Sequence, residues 1–324
     1  MKEARATNSS VMAEYAAVRD GGVGLLDLSA RGRISVSGSE AVMFLNGLIS
    51  NDLKALEENR WMPAAFPNVQ GRLLAAVRVL RRADDILLDT EASTREKVLK
   101  IIERFTLAGD FKVKDLTDES ALISVQGTRA GALLEKVSTE QITVVPATHT
   151  AEAGFDCLVD KNGKESLCRS LVEQGATPVS QEVEEILRIE AGIARYGVDM
   201  DETNVVTETN LDDAVSYTKG CYLGQEIIIR IKHRGHVAKK LTGLKFAANP
   251  TIEPGAAIKT ADDKEIGRVT SATFSPRLES TVALAYVRYE YLAPGTPVVV
   301  NGFAATTHDL PLVRGSWYRD QTDV

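Results

Sequence analysis

A cysteine set between glycines and followed by a run of cations singles out Lys219 to Gly235, KGCYLGQEIIIRIKHRG, as the stretch whose residue types could do chemistry. A thiol acts as a nucleophile or a soft-metal ligand in its thiolate form, which nearby cations or a helix N-terminus favour. Cys221 is therefore the catalytic candidate. From Lys219 to Lys240, six basic residues (Lys219, Arg230, Lys232, Arg234, Lys239, Lys240) stand against one acid, Glu226, a local charge of +5 in a chain of formal net charge −7. Positive charge concentrated in this way fits an anionic ligand. Gly220 and Gly224 permit close backbone approach or a positive φ. The apolar residues 227–229, with Ile231, read as a buried element carrying the cations beside it, and Glu226 and Arg230 are spaced to pair on a helix. A plainer reading stands beside this one: a lone cysteine is more often core packing, and a charge run is more often a solvated face. His233 and His236 have no third ligand nearby in sequence, so no metal site is expected.

The rest of the chain bounds what such a site could serve. A length of 324 residues allows two or three domains, and 44% hydrophobic with 26% charged residues describes a globular protein. No apolar run reaches the ~20 residues of a membrane helix. The first twenty residues lack the apolar segment of a secretory signal and carry Glu3, Glu14 and Asp20, unlike a transit peptide, so a cytoplasmic location is expected. Three cysteines, Cys157, Cys168 and Cys221, without a C-x-x-C pair, fit a reducing compartment and supply no cluster cradle. A pI near 5.3 argues against stable nucleic-acid binding.

The elements that must position the stretch can be read in chain order. Tyr15 opens a helix that ends in a turn at Gly21-Gly22, before the strand GLLDLS. Residues 33–37 alternate as a strand, and Ser39 is placed to cap a helix over 40–48. Residues 64–82 read as a hairpin turning at 68–71. Strands at 86–89, 112–115 and 121–125 and helices at 91–105 and 183–191 follow. The segments ISVSGSEAVMFL (34–45) and ISVQGTRAGALL (123–134) match in strand, glycine, hydroxyl and apolar helix. They read as a weak internal repeat of β–α units or as convergent grammar. An acidic loop-like stretch, 197–215, precedes the cysteine motif. After Gly235, short alternating segments punctuated by Gly and Pro imply a small β-barrel. The expected division is 1–235 and 236–324.

KGCYLGQE with its Arg230-x-Lys232-x-Arg234-Gly235 extension resembles the signature of the YgfZ family, folate-binding proteins that resemble the glycine-cleavage T-protein, aminomethyltransferase. GLLDLSARGRISVSG, FLNGLISNDL, LRIEAGIARYGVDM and GRVTSATFSP resemble further blocks of the family. The resemblance implies an α+β, T-protein-like fold: a folate-binding region of two entwined subdomains, then the barrel. It implies a tetrahydrofolate cofactor, with Glu190 of R-I-E-A-G on the pterin. A carboxylate can accept two adjacent pterin N–H groups. Lys219, Arg230, Lys232 and Arg234 would neutralise the folate tail, with Asn51 and Tyr222 nearby in the site. The implied role is support of iron–sulfur cluster assembly or repair in client enzymes, including enzymes that modify tRNA. The alternative is aminomethyl transfer to tetrahydrofolate. Against it, the hairpin reads QGRLLAAV: Ala75 and Ala76 stand where the transferases place an aspartate, and alanine transfers no proton.

Overall fold

The structure, a computed structural model, describes residues 9–104 and 109–318, apart from the Arg234 side chain. In chain order the elements are α1 (Ser9–Arg19), β1 (Gly24–Asp27), β2 (Gly32–Ser37), α2 (Ala41–Leu48), β3 (Trp61–Pro67), β4 (Leu73–Arg81), β5 (Ile86–Thr90), α3 (Arg95–Glu103), β6 (Lys112–Asp115), β7 (Ser120–Gln126), α4 (Ala130–Leu134), β8 (Thr143–Pro146), β9 (Gly154–Asp160), α5 (Lys164–Glu173), β10 (Thr177–Pro178), α6 (Gln181–Glu190) and α7 (Gln225–Arg234). Barrel strands follow: β11 (Lys239–Phe246), β12 (Ala257–Lys259), β13 (Glu265–Ser275), β14 (Ser280–Arg288), β15 (Pro297–Val300) and β16 (Phe303–His308).

Period-two alternation explains how the first two sheets stack. In β4, β5 and β7 neighbouring residues point to opposite faces. Val79, Leu88 and Ile123 pack outward, beneath α2 and α3 or α4 and α5. Leu80, Leu87 and Leu122 turn inward and meet Leu26 and Leu158 between the sheets. The result is helix, sheet, sheet, helix. Polar residues of the same inward parity are paired there. Arg78 binds both Asp89 and Asp156, at 2.7 and 2.6 Å. A charge in such a place is tolerated only when it is paired.

The sheets run β3-β4-β5-β2-β6 and β10-β1-β7-β9-β8. The second is built as β7–α4–β8–β9–α5–β10 and the first, with one more strand, as β2–α2–β3–β4–β5–α3–β6; the similar segments at 34–45 and 123–134 open them as β2–α2 and β7–α4. The N-terminal strand β1 leaves its sequence neighbours and inserts between β10 and β7. This exchange is the expected entwining. The third sheet closes as a six-stranded barrel, β11-β14-β13-β12-β15-β16, with β16 returning to β11. Its sixth strand, Phe303–His308, is not among the sequence expectations. Its residues, FAATTH, lack a run of alternating apolar side chains, and its pairing with β15 and β11 closes the barrel. One cap is also corrected. Glu40, not Ser39, precedes α2, no side chain caps it, and the Ser39 hydroxyl donates to Asp110 at 2.7 Å. Among the described residues no helix is long and apolar enough to cross a membrane.

Candidate functional site

The cysteine motif forms a loop that ends on α7. Cys221 is exposed, and Ile228 of α7 is buried against the β3–β4 hairpin. Gly224 precedes the helix with φ +78°, a region L-residues avoid. A side chain there would overlap the Asn68 carbonyl in the hairpin turn, and one at Gly71 would meet Ile227 at 3.2 Å. The two glycines let helix and turn touch backbone to backbone. Gly220 differs: its φ is not positive, and a Cβ there meets open space.

Lys219 points inward. It is 8% exposed, and its ammonium donates to the carbonyls of Asn46 (2.6 Å), Ile49 (3.0 Å) and Asn51 (2.7 Å) at the end of α2. Burial pulls its pKa down to about 8. An ammonium has three protons, and three carbonyls take them. Asn51 completes the tie, donating its amide to Pro63 and Asp213 carbonyls, both at 2.8 Å. Together they hold α2, β3, the 211–215 segment and the motif in one arrangement.

The other cations do not gather into one patch. Lys232 stands over the Tyr217 ring at 4.0 Å, Lys240 pairs with Asp212, and Arg230 is exposed. The Arg234 side chain lies outside the described residues. The expectation of a single tail-reading cluster therefore meets a different geometry. Helical periodicity turns Arg230 and Lys232 apart, and Lys219 is spent on carbonyls.

Glu190 is fully buried at the end of α6. Both carboxylate oxygens accept from the Tyr15 hydroxyl at 2.9 Å, Arg19 approaches at 2.8 and 3.2 Å, and the Ser275 hydroxyl donates at 2.5 Å. Arg19 also binds Glu152 at 3.0 Å. Helix α1, helix α6 and barrel strand β13 thus meet on one carboxylate. Sequence reading missed Tyr15, Arg19 and Ser275. They lie 85 to 175 residues from Glu190, beyond the reach of any local pattern. It missed Asp199 too, which is buried and accepts from Thr270 and Ser271 of the barrel at 2.6 Å while pairing with Arg188 at 2.7 Å.

Tyr222 is 7% exposed and packs with Leu73, Tyr196, Met200, Val206, Val215 and Ile228, and its hydroxyl has no partner among the described residues. Burial, with Tyr217 nearby, pushes its pKa up to about 12. Ala76 borders this cluster, and Ala75 is fully buried against the first sheet's helices. No carboxylate rises from either position. His236 stacks on Tyr289 with centroids 3.8 Å apart, and no group of three metal-capable side chains occurs among the described residues.

Comparison with known proteins matches both parts of the chain. Residues 2–219 match the GCVT N-terminal domain family and residues 239–318 the glycine cleavage T-protein C-terminal barrel domain. An aminomethyltransferase from Thermoanaerobacter pseudethanolicus is 27% identical, over 90% of this chain and 85% of its own. One from Rubrobacter xylanophilus is 31% identical, over 94% and 84%. The crystal structure of the glycine cleavage system aminomethyltransferase T from Bartonella henselae superposes with a TM-score of 0.86 at 24% identity, covering 94% of this chain and 90% of that one.

Proposed function

Because the chain belongs to the GCVT family, whose N-terminal and barrel domains it carries, we propose that it is a tetrahydrofolate-dependent protein handling a one-carbon unit, as the aminomethyltransferase names of its relatives indicate. The observation that carries this is the match along nearly the whole chain, barrel included. A reduced folate does not fit Glu190 as that residue stands. The carboxylate is enclosed and its acceptor positions are filled by Tyr15, Arg19 and Ser275. A pterin would have to displace one of these donors, so no chemical step is assigned to Glu190. Tyr222 offers the opposite, a buried hydroxyl without a partner among the described residues.

A second reading is favoured by a different observation. Ala75 and Ala76 leave the hairpin without an acid, while Cys221 of the KGCYLGQE loop is displayed to solvent. Those features support the YgfZ-type role: a cytoplasmic folate binder that sustains iron–sulfur client enzymes, including those that modify tRNA. Two assays decide between the readings. Calorimetry with tetrahydrofolate tests what they share, and absence of binding removes both. Aminomethyl transfer from a lipoyl carrier to tetrahydrofolate separates them. Turnover supports the transferase reading. Folate binding without turnover, with Cys221→Ser failing to restore iron–sulfur enzyme activity in cells lacking the protein, supports the second.

A further inference from the structure

Away from the cysteine motif, a cleft of about 560 Å³ opens between the barrel wall and the loop carrying Thr203. Its cations are Lys239, Arg268 and Arg288, and none of them forms an ion pair or a side-chain hydrogen bond among the described residues. The sheet register sets these like charges side by side. Lys239 of β11 lies directly opposite Arg288 of β14, and Arg268 of β13 lies opposite Tyr286, two residues before Arg288 on the same face. Like charges facing each other across an antiparallel ladder repel. The one acid in the lining is Glu265; the nearby Asp201, which accepts from Thr203, also attracts Arg268 and Lys239 without forming an ion pair with either.

Tyr286 supplies an independent observation. It lines the cleft, is 1% exposed, and its hydroxyl has no hydrogen-bond partner among the described residues. A buried tyrosine hydroxyl ordinarily has one. The Lys239 ammonium stands over its ring at 5.1 Å.

We propose that this cleft is a binding site for a compact ligand carrying two or more negative charges, phosphate or carboxylate, held by Lys239, Arg268 and Arg288 with the Tyr286 hydroxyl donating to it. Such an anion relieves the Lys239–Arg288 repulsion and gives the hydroxyl its acceptor. A volume of this size admits a small-molecule ligand rather than a lone ion. The site does not depend on which reading of the one-carbon chemistry is correct.

The test is calorimetry on the full chain with two probes, inorganic pyrophosphate and a γ-linked triglutamate peptide, at physiological ionic strength. At least one should bind saturably, and the tighter of the two identifies phosphate or carboxylate as the chemistry. Arg268→Gln/Arg288→Gln, both exposed positions, should weaken it at least tenfold. Tyr286→Phe should weaken it severalfold while leaving the melting temperature in place, since no internal hydrogen bond is lost. Lys136→Gln, an exposed charge elsewhere, should bind as the wild type does. Failure of both probes to bind saturably overturns the assignment, as does wild-type affinity in the double arginine variant or in Tyr286→Phe.

Discussion

At the scale of single residues, the candidates divide into those that face solvent and those that hold the protein together. Glu190 belongs to the second group. Glu190→Gln keeps the shape but removes the charge opposite Arg19, and breaking a buried pair from one side costs about 3 kcal/mol. We expect that loss in urea denaturation, and an equal loss on folate binding only if the carboxylate also touches ligand. Unchanged stability would mean that Arg19 is held by Glu152 alone. Here the limits of the sequence are plain. R-I-E-A-G marked Glu190 as special, and it is buried in a special place. What surrounds it comes from α1, β13 and the 150–152 turn, and no spacing rule connects those segments. Cys221 and Lys219 show the same division. Two residues apart in one motif, one is exposed and the other anchors three carbonyls.

At the scale of elements, the hairpin and α7 form one structural unit. The hairpin was legible because Asn68 and Gly71 are turn formers between apolar runs, and it appears as β3 and β4. The docking of α7 upon it was not legible, since it depends on a backbone approach between Gly224 and Asn68. The two glycines of KGCYLG predict different outcomes. Gly224→Ala forces a side chain into a positive-φ position against a carbonyl, and should cost about 2 kcal/mol or more. Gly220→Ala, in open space, should stay within about 0.5 kcal/mol. Thermal melts of both variants check this. Equal melting temperatures would show that α7 is not seated on the turn. Between the sheets, Arg78→Leu leaves Asp156 with only His149 and the Ser124 hydroxyl and should destabilise by about 3–5 kcal/mol at neutral pH. Burial would raise the Asp156 pKa, yet Arg78 and His149 hold it well below the usual carboxylate range. Stability from a depressed carboxylate is present above its unfolded pKa, near 3.8 here, and is lost as pH falls toward the folded value. The gap between wild type and Arg78→Leu should therefore be full at pH 7 and narrow below about pH 4.

At the scale of the whole molecule, the α+β region and the barrel share their polar interior. Arg188 reaches Ser271, Asp199 reaches Thr270 and Ser271, and Glu190 accepts from Ser275. Ile189 packs with Leu241, Val282, Leu284 and Tyr286. A chain ending at residue 235 would expose that apolar face and leave Asp199 without its hydroxyl donors. It should be recovered as aggregate, and a well-folded monomer from that fragment would contradict the coupling. The barrel's presence was legible in alternating strands, whereas its seat on α6 was not, because that face of α6 reads the same whether it meets a sheet or a helix. The placement of β1 carries a consequence in time. During synthesis β1 emerges early, but its partner β7 begins only at Ser120 and β10 at Thr177. At about 5–20 residues per second, the strand waits several seconds or longer with its apolar residues unpaired, while the sheet of β2 to β6 can already close. β1 is thus made well before the strands it pairs with, and the nascent chain must be shielded at GLLD until the second subdomain arrives.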